Sequence, residues 1–78
     1  MEKTIEKFHL KEGDKVYVVS SNGKDNGVFH NFNEALGCAK KLNMNDIDKW
    51  YVEELQCVAN GSELILERLW VHLVEDYL

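Results

Sequence analysis

A chain of 78 residues, 45% hydrophobic and 29% charged with no proline, suffices for one small domain that hides roughly 60–65% of its unfolded surface. Its net charge of −5 argues against direct nucleic-acid binding, which needs clustered lysines and arginines, and no apolar run approaches the ~20 residues of a membrane span. The opening MEKTIEKFHL lacks the apolar core of a signal peptide, so the two cysteines are expected as reduced thiols in the cytoplasm of a bacterial or phage-infected cell.

Residues 1–14 read as an N-terminal arm and turn, and residues 15–78 as the core of a single domain. In the arm, Ile5, Phe8 and Leu10 anchor one or two helical turns with Thr4 as cap, or an edge strand. The helical or irregular arm is the favoured of the two. Glu12-Gly13-Asp14 is a turn. Lys15–Ser21, KVYVVSS, is the clearest strand, β-branched and aromatic through its centre. Val16 and Val18 face one side, Tyr17 and Val19 the other, so the strand is central and covered at least in part on both faces. Ser21–Gly27, with two Asn-Gly steps, is a hairpin loop. It has no phosphate-binding glycine pattern and no helix follows it directly. Gly27–His30 is the short return strand.

The stretch 29–42, FHNFNEALGCAKKL, predicts a helix. Asn31 is its N-cap and Glu34 stands where a capping-box acid belongs. Phe32, Ala35, Leu36, Ala39 and Leu42 form one apolar stripe. Lys40 and Lys41 suit the negative end of the helix dipole, and Asn43 is expected to end the helix in the left-handed conformation. Met44–Lys49 is a polar connector.

Trp50–Ala59 predicts a second long strand. Asn60-Gly61 is the hairpin turn, and Ser62–Leu73 is the partner strand. A two-residue loop at Asn60-Gly61 places Ala59 opposite Ser62. It then pairs Cys57 with Leu64, Leu55 with Leu66, Glu53 with Arg68 and Tyr51 with Trp70. The same register sets Glu54 against Glu67, a repulsive pair. The C-terminal residues also fit a helix, with Leu66, Leu69, Leu73 and Tyr77 on one face. The turn and the matched register favour the strand. The expected fold is therefore α+β: a small antiparallel sheet of about four strands, β-β-α-β-β, with one covering helix.

The order of Val16–Val19, Gly27–Phe29, Glu34-Ala35 and Tyr51–Glu54 resembles a loose group of small phage and bacterial proteins of unknown function. Those open with a V-Y-V-V strand, followed by a G-V-F strand, an E-A helix start and a Y-V-E-E strand. The resemblance covers residues 15–58 and implies a fold, with no catalytic residues to carry over. Small acidic phage proteins of this size include anti-CRISPR and other anti-defence inhibitors, an analogy of size, charge and apparent origin.

Chemistry-bearing constellations are sparse. His9, His30, His72, Cys38 and Cys57 show no close ligand spacing for a structural metal. Both cysteines fit as buried small hydrophobes, with their thiols near each other if the helix packs on the Cys57 face. Cys38 lies mid-helix, where no helix N-terminus activates it. Neighbouring Glu53 and Glu54 point to opposite faces of a strand and cannot act together as acid and base. No enzyme activity, cofactor or metal is expected.

Charge distribution carries the functional expectation. Residues 1–43 hold seven lysines against six acids, a balance of +1, while residues 44–78 hold eight acids against Lys49 and Arg68, a balance of −6. The reading is a non-enzymatic protein-binding module, in one form a phage-encoded inhibitor of a host defence protein. It would dock an acidic face on a partner's basic, nucleic-acid-binding surface. Asp46, Asp48, Glu54, Glu63, Glu67, Glu75 and Asp76 would form that face, and the Glu54–Glu67 repulsion suggests that a cation from elsewhere sits between them. Glu53 is left out, being paired with Arg68. The alternative is a small homodimeric accessory protein with Trp70, Val71 and Leu73 at the dimer interface.

Overall fold

A computed structural model describes residues 2–45 and 49–78. Helix α1 (Glu2–Lys7) leads into strands β1 (Lys15–Ser21) and β2 (Lys24–Phe29). Helix α2 (Phe32–Asn45) follows, then strands β3 (Tyr51–Asn60) and β4 (Glu63–Leu73), and a closing 3-10 turn, Val74–Tyr77. The strands form one antiparallel four-stranded sheet in the order β2-β1-β3-β4. This is the expected α+β fold, with its main helix between the second and third strands.

The β1–β2 hairpin turns on Asn22-Gly23, whose φ angles of 46° and 81° are both positive. That pairing twists with the strands, and a glycine accepts it without steric cost. Ser21 pairs with Lys24, so the loop is tighter than expected and Lys24–Asn26 belong to β2. The second hairpin also departs from expectation. Asn60 pairs with Glu63, and the turn is Gly61-Ser62, with Gly61 at φ 64°. The register is therefore displaced by two residues, Cys57 meeting Leu66 and Ala59 meeting Leu64. A bulge then shifts it again. Leu55 pairs with Arg68 but Glu54 pairs with Trp70, leaving Leu69 as the extra residue.

Both faces of β1 are buried, as its composition implies. Val19, with Tyr17 beside it, joins Val52, Trp50, Val74 and the α2 stripe of Ala35, Leu36 and Ala39 in one core. Phe32 and Leu42 complete that stripe. Val16 and Val18 join Leu55, Cys57, Ile5 and Leu10 in a second core on the opposite face. A buried valine contributes about 1.5–3 kcal/mol relative to exposure, and Val16, Val18, Val19 and Val52 are all at or below 2% exposure. The arm is thus helical and serves as a second, smaller cover, held by Ile5, Phe8 and Leu10. Cys38 packs on the α2 side and Cys57 on the α1 side, so α2 does not cover the Cys57 face, the condition for neighbouring thiols is not met, and the sheet separates them.

Three polar fasteners fix the frame. The amide of Glu34 donates to Asn31 Oδ1 at 3.2 Å, the expected N-cap. Asn43, expected to end the helix, lies inside it and clamps the next strand instead. Its Nδ2 donates to the Trp50 carbonyl at 3.1 Å, and the Trp50 amide donates to its Oδ1 at 2.6 Å. An asparagine side chain has the donor and acceptor of a peptide, so it stands in for a missing neighbouring strand. At the other end, Gly13 N donates to Cys57 O at 2.7 Å and Cys57 N to Asp14 O at 2.8 Å, which ties the turn after α1 to β3.

Candidate functional site

The two edges of the sheet are unequal. Strand β2 is short, bulged opposite Val18–Ser20, and carries Lys24 and Asp25 at its start. These are the usual protections of an edge. Strand β4 runs over eleven residues, and its outer side pairs with no other strand among the described residues. It also carries Leu64, Leu69, Trp70 and Leu73 as exposed large hydrophobics, with Trp70 at 65% exposure. An exposed aromatic on a long free edge is an arrangement that interfaces use and isolated surfaces avoid.

Beneath Trp70 lies a polar chain that holds this edge in shape. Strand alternation and pairing put Lys15, Glu54, Trp70 and His72 on the α2 face. Glu54 Oε2 receives the Lys15 ammonium at 3.2 Å, and Glu54 Oε1 meets His72 Nε2 at 2.9 Å. His72 Nδ1 meets the Tyr77 hydroxyl at 2.7 Å. Aromatic contacts support the chain: Phe32 sits 4.7 Å from the His72 ring and 5.2 Å from Tyr77, and Tyr17 stands 5.7 Å from Phe32. The hydrogen bond from His72 holds the Glu54 carboxyl below its ordinary range, against the opposing effect of burial, and Lys15 adds to the lowering. A carboxylate oriented on a histidine that faces a hydroxyl has the outline of a relay. Here both imidazole nitrogens are occupied within the chain. The arrangement fastens the 3-10 turn to the sheet.

This chain overturns one sequence expectation. Glu54 does not confront Glu67: it stands across from Trp70, and Glu67 across from Gln56. The repulsion that suggested an external cation is absent, because Lys15 and His72 already serve Glu54. The expected Glu53–Arg68 ion pair is present at 3.3 Å, reached diagonally, since Val71 stands opposite Glu53. Of the other acids, Glu63 and Glu67 are exposed on β4, and Glu75 and Asp76 are exposed on the 3-10 turn. The register sets Glu63 and Glu67 on the same α2 face as Glu54, and Glu75 and Asp76 continue past the strand end. Asp46 and Asp48 lie outside the described residues. Trp70 and Leu73 are exposed and Val71 half-buried. Strand alternation separates them, with Trp70 on the α2 face and Val71 and Leu73 on the other side.

Sequence reasoning missed Lys15, His72 and Tyr77 as partners of Glu54. No local signal marks them. His72 and Tyr77 are five residues apart across a strand end, and only the bulge turns His72 toward Glu54. Cys57 is fully buried, and burial, followed by the Asp14 and Glu12 carboxylates, pushes its thiol up, away from thiolate reactivity. Among the described residues no group of three or more histidine, cysteine or acidic side chains is placed to hold a metal ion. Among the same residues no helix is long and apolar enough to cross a membrane. Compared with protein families, curated proteins and solved structures, the chain finds no match.

Proposed function

We propose that this chain is a non-enzymatic protein-binding module whose working surface is the β4 edge. The observation that carries the reading is the long unpaired edge itself, with Leu64, Leu69, Trp70 and Leu73 exposed along it and Glu63, Glu67, Glu75 and Asp76 beside them. An extended segment of a partner can add to such an edge. Main-chain hydrogen bonds then supply affinity and the side chains supply choice. Trp70 is the natural anchor, since interface energy concentrates in aromatic side chains that become fully desolvated. The carboxylates favour a partner whose flanks are basic, and they accelerate its approach at low salt.

An inhibitor that covers the basic, nucleic-acid-binding surface of a host defence protein in the cytoplasm is one form of this module. The carboxylates spaced along the edge support it. The second reading is a homodimer through the same edge, favoured by the apolar content of β4 and opposed by the like charges that two copies would bring together.

The test compares capture from lysate by the wild type, by Trp70→Ala and by the neutralised variant Glu63→Gln/Glu67→Gln/Glu75→Gln/Asp76→Asn, at low and at high salt. The expected result is one partner lost by Trp70→Ala at both salts, and weakened by the neutralised variant mainly at low salt. Retention of that partner by both variants overturns the reading. A solution mass of two chains that falls to one in Trp70→Ala transfers it to the homodimer.

A further inference from the structure

The end of α2, the start of β3 and the 3-10 turn enclose a cleft of about 540 Å³. Its walls are Met44, Trp50, Leu73, Val74 and Leu78, with Tyr51 at the side. Ligand pockets span roughly 300–1,000 Å³ and are mainly apolar with a few placed polar groups. Three of the exposed large hydrophobics, Met44 at 84%, Leu78 at 88% and Leu73 at 43%, border this one cleft. Its polar groups sort themselves. The Asn43 side chain is spent on the Trp50 backbone at both ends. Lys40, Lys49 and Glu75 remain, and among the described residues neither lysine has an ion-pair partner.

We propose that this cleft binds a small apolar molecule bearing one anionic group, the chemistry of a medium-chain carboxylate or an aromatic sulfonate. The apolar body covers Trp50 and Val74 at the floor and takes Met44, Leu73 and Leu78 out of water. The anionic head meets Lys40 and Lys49. A neutral hydrocarbon would leave both ammonium groups unserved, and Glu75 disfavours a second negative charge on the ligand. The cleft borders the β4 docking edge and shares Leu73 and Glu75 with it, but Met44, Lys40, Lys49 and Leu78 lie off that strand.

The test uses 1-anilinonaphthalene-8-sulfonate with the full chain carrying Trp70→Phe, which leaves Trp50 as the sole tryptophan. The expected result is saturable one-to-one binding with energy transfer from Trp50, displaced by decanoate but not by decanol. Lys40→Gln/Lys49→Gln weakens binding about tenfold, the combined loss of two exposed ion pairs. Leu78→Asp also weakens it and leaves the melting temperature unchanged, since Leu78 is 88% exposed. Neutralising Glu63 and Glu67 on the docking edge leaves binding as it was. Unsaturable binding, equal displacement by decanol, or binding undiminished in the lysine variant and in Leu78→Asp overturns the proposal.

Discussion

Replacing Glu54 by glutamine tests whether the polar chain beneath Trp70 is a fastening. Glutamine keeps the shape and leaves an oxygen for His72 Nε2, so the perturbation removes charge and little else. A hydrogen bond to a charged group is worth about 1.5–3 kcal/mol and a neutral one about 0.5–1.5, so the His72 contact loses about 1 kcal/mol. The Lys15 ion pair adds less. Its lysine is 46% exposed, and exposed pairs contribute about 0.2–1 kcal/mol. The sum is about 1–2 kcal/mol at neutral pH, read by urea or thermal unfolding, where 1 kcal/mol shifts Tm by about 4–8 °C in a domain of this size. The pH dependence is a sharper test. The folded-state pKa of Glu54 is lowered, chiefly by His72. Its contribution is therefore complete above the unfolded-state value and is lost as pH falls through the folded-state one. The gap between wild type and Glu54→Gln should be full at pH 7 and close on acidification below the ordinary glutamate range. Equal stability at pH 7, or a gap that persists unchanged in acid, would refute the assignment.

Three further outcomes follow from the cores. Leu36→Ala, at a site 8% exposed on the buried face of α2, should cost about 2–5 kcal/mol, and Asn31→Ala about 1 kcal/mol through the lost cap; near-wild-type melting of Leu36→Ala would place the stripe in solvent. Ser21 is fully buried, and its hydroxyl has no hydrogen-bond partner among the described residues. Ser21→Ala should then be neutral or stabilising by up to about 1 kcal/mol, and a clear loss in urea unfolding would reveal a missed partner. In native protein iodoacetamide should modify half-buried Cys38 well before buried Cys57, whose thiol is also pushed up; mass spectrometry of partly labelled protein with Cys57 modified first would contradict the packing.

What could be read from the sequence was local. The α2 cap and stripe depend on spacings within one helix, and the two-faced burial of β1 on an unbroken apolar run. The arm was only half legible, since Ile5, Phe8 and Leu10 fit a helical arm or an edge strand and the structure has the helix. The second hairpin was read less well, because Asn60-Gly61 and Gly61-Ser62 are both credible two-residue turns. Moving the turn by one residue displaces the register by two, so the faces of the outer half survived while every directly opposed partner changed, the Glu53–Arg68 ion pair persisting on the diagonal. The bulge at Leu69 had no local marker at all. It follows from what His72 and Tyr77 gain by reaching Glu54, a tertiary fit between residues far apart in sequence. Asn43 was misjudged similarly, since its value lies in the Trp50 backbone and not in its own helix.

That bulge determines what the edge offers. Without the extra residue, the pairing of Leu55 with Arg68 would continue as Glu54 with Leu69 and Val52 with Val71. His72 would then point to the α1 face, away from Glu54, and the 3-10 turn would lose its tie to the sheet. The inserted residue restores His72 to the α2 face and places Trp70 on that face too, across from Glu54. Val71 and Leu73 move to the opposite face. It also kinks the free edge, so a partner strand meets Glu63–Arg68 and Trp70–Leu73 as two segments on different lines. A flat strand from any chain would match only one of them. Indiscriminate edge-to-edge pairing is thereby discouraged, even though the exposed leucines would invite it. A partner that uses both segments must carry a compensating bend at the level of Leu69. If the β4 edge is the docking surface proposed above, its selectivity rests on the same extra residue, Leu69, that organises the polar chain.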